Sequence, residues 1–295
     1  MQCDIKNKKK GEIFRMNIEE KKIVADSSAD TLNIDGVSFA VAPLRIITAE
    51  TEYVDDASLN VEKMADDLLH YNGKSSTACP SVADYLDAFD GAKYIFCVAI
   101  TSGLSGSYNS ACLAKQEYEK KNPDAKVFVI DTLSAGPELR LIIEKLQELV
   151  LKGKDFDKIC KLINKYQEKT RLLFTLQSLK NFANNGRVNP LVAKAAGLLN
   201  IRFIGKASKK GTLEMLEKSR GEKRALKSII DNMKKMGFKN GKVKIGHCNN
   251  EETALTLKDL ILNEFSAKSE IEIYPLRGLC SFYAEKGGIL IGFEK

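Results

Sequence analysis

The chain has 295 residues, 44% of them apolar and 29% charged, with a formal net charge of +7 at pH 7. That is the composition of a globular protein with one large or two ordinary domains, and it argues against a disordered chain or one built on membrane spans. Seven irregularly spaced cysteines without a C-x-x-C pair, and only two histidines, argue against a disulfide framework and a His-rich metal centre.

The positive charge does not make a nucleic-acid interface. Lysines are scattered among acids, and the only dense basic run is Lys6 to Lys10. There is no basic stripe interleaved with aromatics and no zinc-finger spacing. Met1 to Glu20 lack the apolar core of a signal peptide. Residues 1–20 read as a flexible N-terminal extension, with Met16 as an alternative start. A cytoplasmic location with reduced thiols is expected.

The first strand signal is Lys22 to Ala25, closed by Asp26-Ser27-Ser28. Val37 to Pro43 reads as a second strand, with Arg45 to Thr48 as its continuation. Helical patterns follow at Asn60 to His70 and Ser81 to Phe89. Tyr94 to Ile100 is an apolar run of strand length, Ser107 to Lys121 a helix, and Lys126 to Asp131 another strand. This βα alternation predicts a parallel sheet covered by helices. Helices at Pro137 to Leu151 and Asp155 to Lys169 read as a hinge region. Pro137 fits a first helical turn, and Lys152 to Asp155 separates the pair.

The second half carries a strand at Arg171 to Leu176, a short helix at Ser178 to Asn184 and a turn through Arg187. Leu191 to Leu199 reads as helical. Ile201 to Lys206 and Thr212 to Glu217 flank Lys209-Lys210-Gly211, a hairpin signal. Arg220 to Met236 reads as an amphipathic helix. A strand at Lys242 to His247, a helix at Asn249 to Glu264, and strands at Glu270 to Pro275 and Gly287 to Phe293 complete the chain. The reading is a two-domain α/β protein, each domain a sheet covered by helices and the first sheet mostly parallel. The expected domains are residues 21–165 and 166–295, with a ligand cleft at their junction.

The chemically informative segment is Thr101-Ser-Gly-Leu-Ser105-Gly-Ser107, between the run ending at Ile100 and the helix from Ser107. Free N–H groups at a helix start, aided by the dipole, favour an anion there. The glycines allow close approach, and the serines add hydroxyl donors. Neither common phosphate-loop pattern is present. Gly103-Leu-Ser105-Gly-Ser107 falls one glycine short of the nucleophile elbow G-x-S-x-G. Three readings stand side by side: a helix cap without a ligand, a site for a carboxylate or phosphate, and a hydrolase nucleophile.

Six motifs in order resemble the DegV family of bacterial fatty-acid-binding proteins. They are Val24-Ala-Asp26-Ser27-Ser28, Ala42-Pro43-Leu44, Thr77-Ala-Cys-Pro80-Ser81, Thr101-Ser-Gly-Leu-Ser105-Gly-Ser-Tyr108, Asp131-Thr132 and the stretch Leu179 to Arg187. The likeness runs from about Lys22 to Phe293. It implies a carrier rather than an enzyme, without a cofactor, binding one long-chain fatty acid in an apolar tunnel. Carried over by position, Thr77 and Ser105 would hold the carboxylate, with Arg187 as charge partner. Arg220 would dock a partner fatty acid kinase, which phosphorylates the bound acid for phospholipid synthesis. No stable membrane insertion is implied.

The chain departs from the family pattern at several places. Ala78 and Cys79 replace a hydroxyl and an amide. Tyr283 stands where many members have His, and its phenol can donate to a carboxylate but does not titrate near pH 7. Glu285 and Lys286 replace a glycine and a small residue, and Arg202-Phe203 a Lys-Pro pair. Two alternatives from other classes remain: a serine hydrolase using Ser105 with His247 and an acid such as Asp131, and a carrier of another amphipathic anion.

Overall fold

A computed structural model describes residues 18–189 and 200–295. The expected flexible extension, up to residue 17 and including the alternative start at Met16, and the expected helix over Leu191 to Leu199 lie outside the described residues.

The first half begins with β1 (Lys21–Asp26), a 3-10 turn at Ser27–Ala29 and β2 (Ser38–Ala42). Then come β3 (Arg45–Ile47), β4 (Glu52–Val54), α1 (Val61–His70), β5 (Ser76–Ala78) and α2 (Val82–Phe89). The half ends with β6 (Tyr94–Ala99), α3 (Ser107–Lys121), β7 (Lys126–Asp131), α4 (Pro137–Leu151) and α5 (Phe156–Gln167). Four strands make an all-parallel sheet in the order β2-β1-β6-β7. Successive residues of β1 point to opposite faces, and both faces are covered. Val24 packs with Tyr85, Phe89 and Ala111 of α2 and α3. Ile23 and Ala25 pack with Leu139, Ile142 and Ile163 of α4 and α5.

Arg45–Ile47 does not continue β2. Pro43 interrupts the ladder, and β3 joins β4 and β5 in a separate antiparallel sheet ordered β4-β3-β5. The guanidinium of Arg45 donates to both carboxylate oxygens of Asp84, at 3.0 and 2.9 Å, and fastens this sheet to α2. Asp84 also closes a capping box with Ser81.

The second half holds β8 (Thr170–Leu176), α6 (Lys180–Asn184), β9 (Ile201–Ala207), β10 (Leu213–Arg220), α7 (Glu222–Lys235) and β11 (Lys242–His247). It ends with α8 (Glu251–Glu264), β12 (Glu270–Pro275), α9 (Gly278–Ala284) and β13 (Ile289–Glu294). Its six-stranded sheet has the order β10-β9-β8-β13-β11-β12 and is antiparallel except for β11 with β12. Helices α7 and α8 cover one face through Leu226, Ile229, Leu257 and Ile261. Helix α4 packs against both large sheets. Nine of its residues are buried, as a helix enclosed on opposite sides requires. Arg220, expected at a helix start, is instead the last residue of β10.

Candidate functional site

The loop after β6 is held from beneath by Asp26, the acid that ends β1. Its buried carboxylate accepts from Ile100 N at 2.7 Å, from Ser107 Oγ at 2.6 Å, and from Ser28 N at 3.2 Å. Burial pushes this carboxyl up, and those hydrogen bonds pull the other way. Ser107 is fixed further by Tyr85, whose hydroxyl lies 2.7 Å from its Oγ. The D-S-S motif therefore sets the position of residues 100–107.

Above this anchor lies a cavity of about 310 Å³. Leu44, Ile100, Leu172, Phe174, Leu213 and Leu290 are among its apolar walls. Thr77, Ser105, Arg187 and Tyr283 also line it, so the four side chains expected to bind a head group are brought together. Ala78 and Cys79 line it too. Arg187 is the only charged residue lining the cavity among the described residues. A volume near 300 Å³ is at the lower end of small-molecule pockets, roughly 300–1,000 Å³.

Each of the four is placed by identifiable local structure. Thr77 lies on β5 opposite Ile46. Ser105 precedes the 15-residue α3, and its Oγ accepts from Ser107 N at 3.2 Å, leaving its own proton available. Arg187 follows Gly186, whose φ of +72° closes α6 in a left-handed turn. Arg187 N donates to Phe182 O and Gly186 N to Ala183 O, the paired bonds of a Schellman end. Its Nε donates to Leu104 O at 3.0 Å, beside Ser105.

Tyr283 is carried by α9. The first amides of that helix, Gly278 N and Leu279 N, donate to buried Asp55 at 3.1 and 2.9 Å. The Tyr283 ring stacks on Phe182 with centroids 4.6 Å apart, and its hydroxyl lies 2.8 Å from Thr77 Oγ1. Burial raises the phenol pKa, so it stays a neutral donor. Asp55 was not singled out from the sequence, and no local pattern ties it to residues 278 and 279.

The other expected residues lie apart from this group. His247 lines a different cavity, with Leu59 and Arg277, and accepts from Asn250 N at 3.4 Å. Asp131 accepts from Ser102 Oγ at 2.5 Å and from Leu133 N at 3.1 Å. No hydrogen bond joins Ser105, His247 and Asp131 to one another, and neither His247 nor Asp131 lines the Ser105 cavity. The hydrolase triad is therefore not assembled. Arg220 is exposed at the end of β10, outside the cavity lining.

No helix among the described residues is long and apolar enough to cross a membrane. Residues 20–295 match the family model described as "Uncharacterised protein, DegV family". A DegV domain-containing protein of Streptococcus pneumoniae is 45% identical over 277 residues, covering 92% of this chain and 98% of that relative. The fold is similar to the crystal structure of the S. pneumoniae Fatty Acid Kinase (Fak) B3 protein loaded with linoleic acid. That match has a TM-score of 0.91, 45% identity, and coverage of 93% of this chain and 99% of the other. It is equally similar, at TM-score 0.91 and 42% identity with the same coverage, to a DegV family protein of Eubacterium eligens loaded with heptadecanoic acid.

Proposed function

The chain belongs to the DegV family, and on that premise we propose that it binds one long-chain fatty acid in the cavity between its two halves. Thr77 and Ser105 would hold the carboxylate, with Arg187 as its charge partner and Tyr283 as a further donor. The observation that carries this reading is the convergence of those four side chains in one otherwise apolar cavity.

The energetics fit an acid with a long tail. Each buried methylene contributes about 0.8 kcal/mol, so some fifteen of them gain about 12 kcal/mol gross. Lost freedom on association offsets much of that. A carboxylate buried without partners would cost several kcal/mol or protonate. The Ser105 hydroxyl, the proton left by the hydrogen-bonded Thr77–Tyr283 pair and a guanidinium supply enough donors to keep it ionised.

The chain would act as a carrier and not as an enzyme, in the cytoplasm and without a cofactor. It would present the head group to a separate fatty acid kinase, whose acyl phosphate product enters phospholipid synthesis. Exposed Arg220 is the candidate docking residue. Arg220→Ala should slow kinase-dependent phosphorylation and leave fatty acid affinity unchanged.

Mass spectrometry of lipid extracted from the purified protein tests the binding. A stoichiometric acid of about fourteen to eighteen carbons supports it. An empty protein or a phosphorylated lipid rejects it. An active-site-directed phosphonate should leave Ser105 unlabelled, as the separation from His247 requires.

A further inference from the structure

Gly205 stands in the interior of β9, opposite Phe174 of β8 and Met215 of β10. Its φ lies outside the left-handed range, so no backbone conformation calls for glycine here. The requirement is space. A Cβ at this position would meet Phe174 Cζ at 2.2 Å, Phe174 Cε2 at 2.6 Å and Glu214 O at 2.8 Å. The Phe174 ring thus lies over the place where a side chain would be.

Phe174 is buried and lines the lipid cavity, as does Leu290, its partner on β13. Leu172, two residues earlier on the same face, lines it as well. These three come from the middle of the six-stranded sheet, whereas the polar side chains come from β5, the loop after β6, the turn after α6, and α9. The wall around Phe174 therefore belongs to the apolar part of the cavity.

We propose that Gly205 sets the acyl length the cavity admits: the space it leaves lets the Phe174 ring lie back against the sheet, where the ring closes the far end of the path instead of obstructing the tail before it. Gly205 touches no lipid and acts through Phe174, as a positioning residue. Any side chain at 205 drives the ring off the sheet toward the cavity, where it obstructs a tail long enough to reach it. The ligand class is a straight-chain acid whose affinity rises with length until the tail meets Phe174. This inference rests on the fatty-acid reading of the cavity.

The test is a series of saturated acids of about ten to eighteen carbons, measured by displacement of a fluorescent fatty-acid probe from the full-length protein. With each methylene worth about fourfold in affinity, Gly205→Ala should weaken the sixteen- and eighteen-carbon acids by about tenfold or more. The ten- and twelve-carbon acids should change by less than about twofold. Adding Phe174→Leu to Gly205→Ala should restore the long acids, which a general loss of packing would not do. Because Glu214 O also crowds position 205, Gly205→Ala could fail to fold, and Phe174→Leu alone then decides. It should move the preferred length upward by about two carbons. An unchanged length profile in Phe174→Leu, or equal weakening at every length in Gly205→Ala without rescue, overturns the proposal. Should the unaltered protein bind none of the acids, the fatty-acid reading itself falls, a result distinct from a flat profile in the variants.

Discussion

Thr77 Oγ1 and Tyr283 Oη lie 2.8 Å apart across 206 positions of sequence. One comes from the small antiparallel sheet of the first half, the other from a short helix near the C-terminus. The hydrogen bond uses one hydroxyl as donor and the other as acceptor, so one proton remains to donate into the cavity. In the proposed binding mode the pair would therefore act on a head group as a unit. Thr77→Val and Tyr283→Phe should each weaken fatty acid binding by about 1 kcal/mol, close to fivefold. The double variant should cost little more than either one, with a coupling of roughly 0.5–1.5 kcal/mol. Titration calorimetry on the four proteins measures this, and strict additivity would show that the two hydroxyls act separately.

Arg187 should distinguish an acid from a neutral lipid. A hydrogen bond to a charged group contributes about 1.5–3 kcal/mol, so Arg187→Ala should weaken a fatty acid by roughly ten- to a hundredfold. The matched fatty alcohol, which has no charge to satisfy, should change by less than about threefold. Arg187→Lys should recover only part of the loss, since an ammonium lacks the planar fork. Comparable losses for acid and alcohol would mean that Arg187 only shapes its loop through Leu104.

Much of the first half is legible in the sequence: β1, β6 and β7 are apolar runs of strand length, and α1, α2 and α4 carry recognisable starts. Ser81 with Asp84, Asn60 before α1, and Pro137 opening α4 all sit where their side chains or fixed φ are useful. Strands β4 and β5 have three residues each, too few to show alternation. Helix α9 has seven residues, six of them buried, so it lacks the polar face that marks a surface helix. Thr77 and Ser105 were visible through motifs, and Tyr283 by counting back from Gly287. Asp55 was not, because its role exists only once residues 223 positions away fold onto it. The charged run around Arg220 resembles a helix start, whereas pairing with Ile201 extends the hairpin to that point.

Asp30 should make stability fall as pH rises. Burial, with a smaller contribution from nearby Asp55, pushes its carboxyl from 3.8 up to about 7, against the pull of the Arg277 N–H. Between those two values the folded protein holds a proton that the unfolded chain has released. The stabilising contribution is complete below pH 3.8 and is lost as the pH passes through 7. Asp30→Asn keeps an oxygen for Arg277 N, which donates to Oδ1 at 2.8 Å, and asparagine tolerates the φ of +55°. It should have little effect near pH 4 and stabilise the fold by a few kcal/mol, on the order of 2–4, at pH 8. Urea denaturation at the two pH values measures the difference. The same difference at both would show that the Asp30 proton is not what folding takes up.

Glu285 stands where the family resemblance puts a glycine, and the backbone there has φ +54° and ψ +171°. That combination borders the region in which only glycine is at ease, and a side chain held there costs on the order of 1–3 kcal/mol. The carboxylate adds a second cost, because burial pushes its pKa up against hydrogen bonds that include Ser178 and Asn181 N. Its contribution is therefore complete below the ordinary glutamate value of 4.5 and lost as pH rises. Against these stand the hydrogen bonds it makes and the entropy glycine gains in the unfolded chain, about 0.5–1 kcal/mol. Glu285→Gly should thus stabilise the protein by about 1 kcal/mol at pH 7, and by less at pH 4. Thermal unfolding at both values tests it. A variant less stable than the parent at pH 7 would mean that the contacts to Ser178 and Asn181 outweigh the strain.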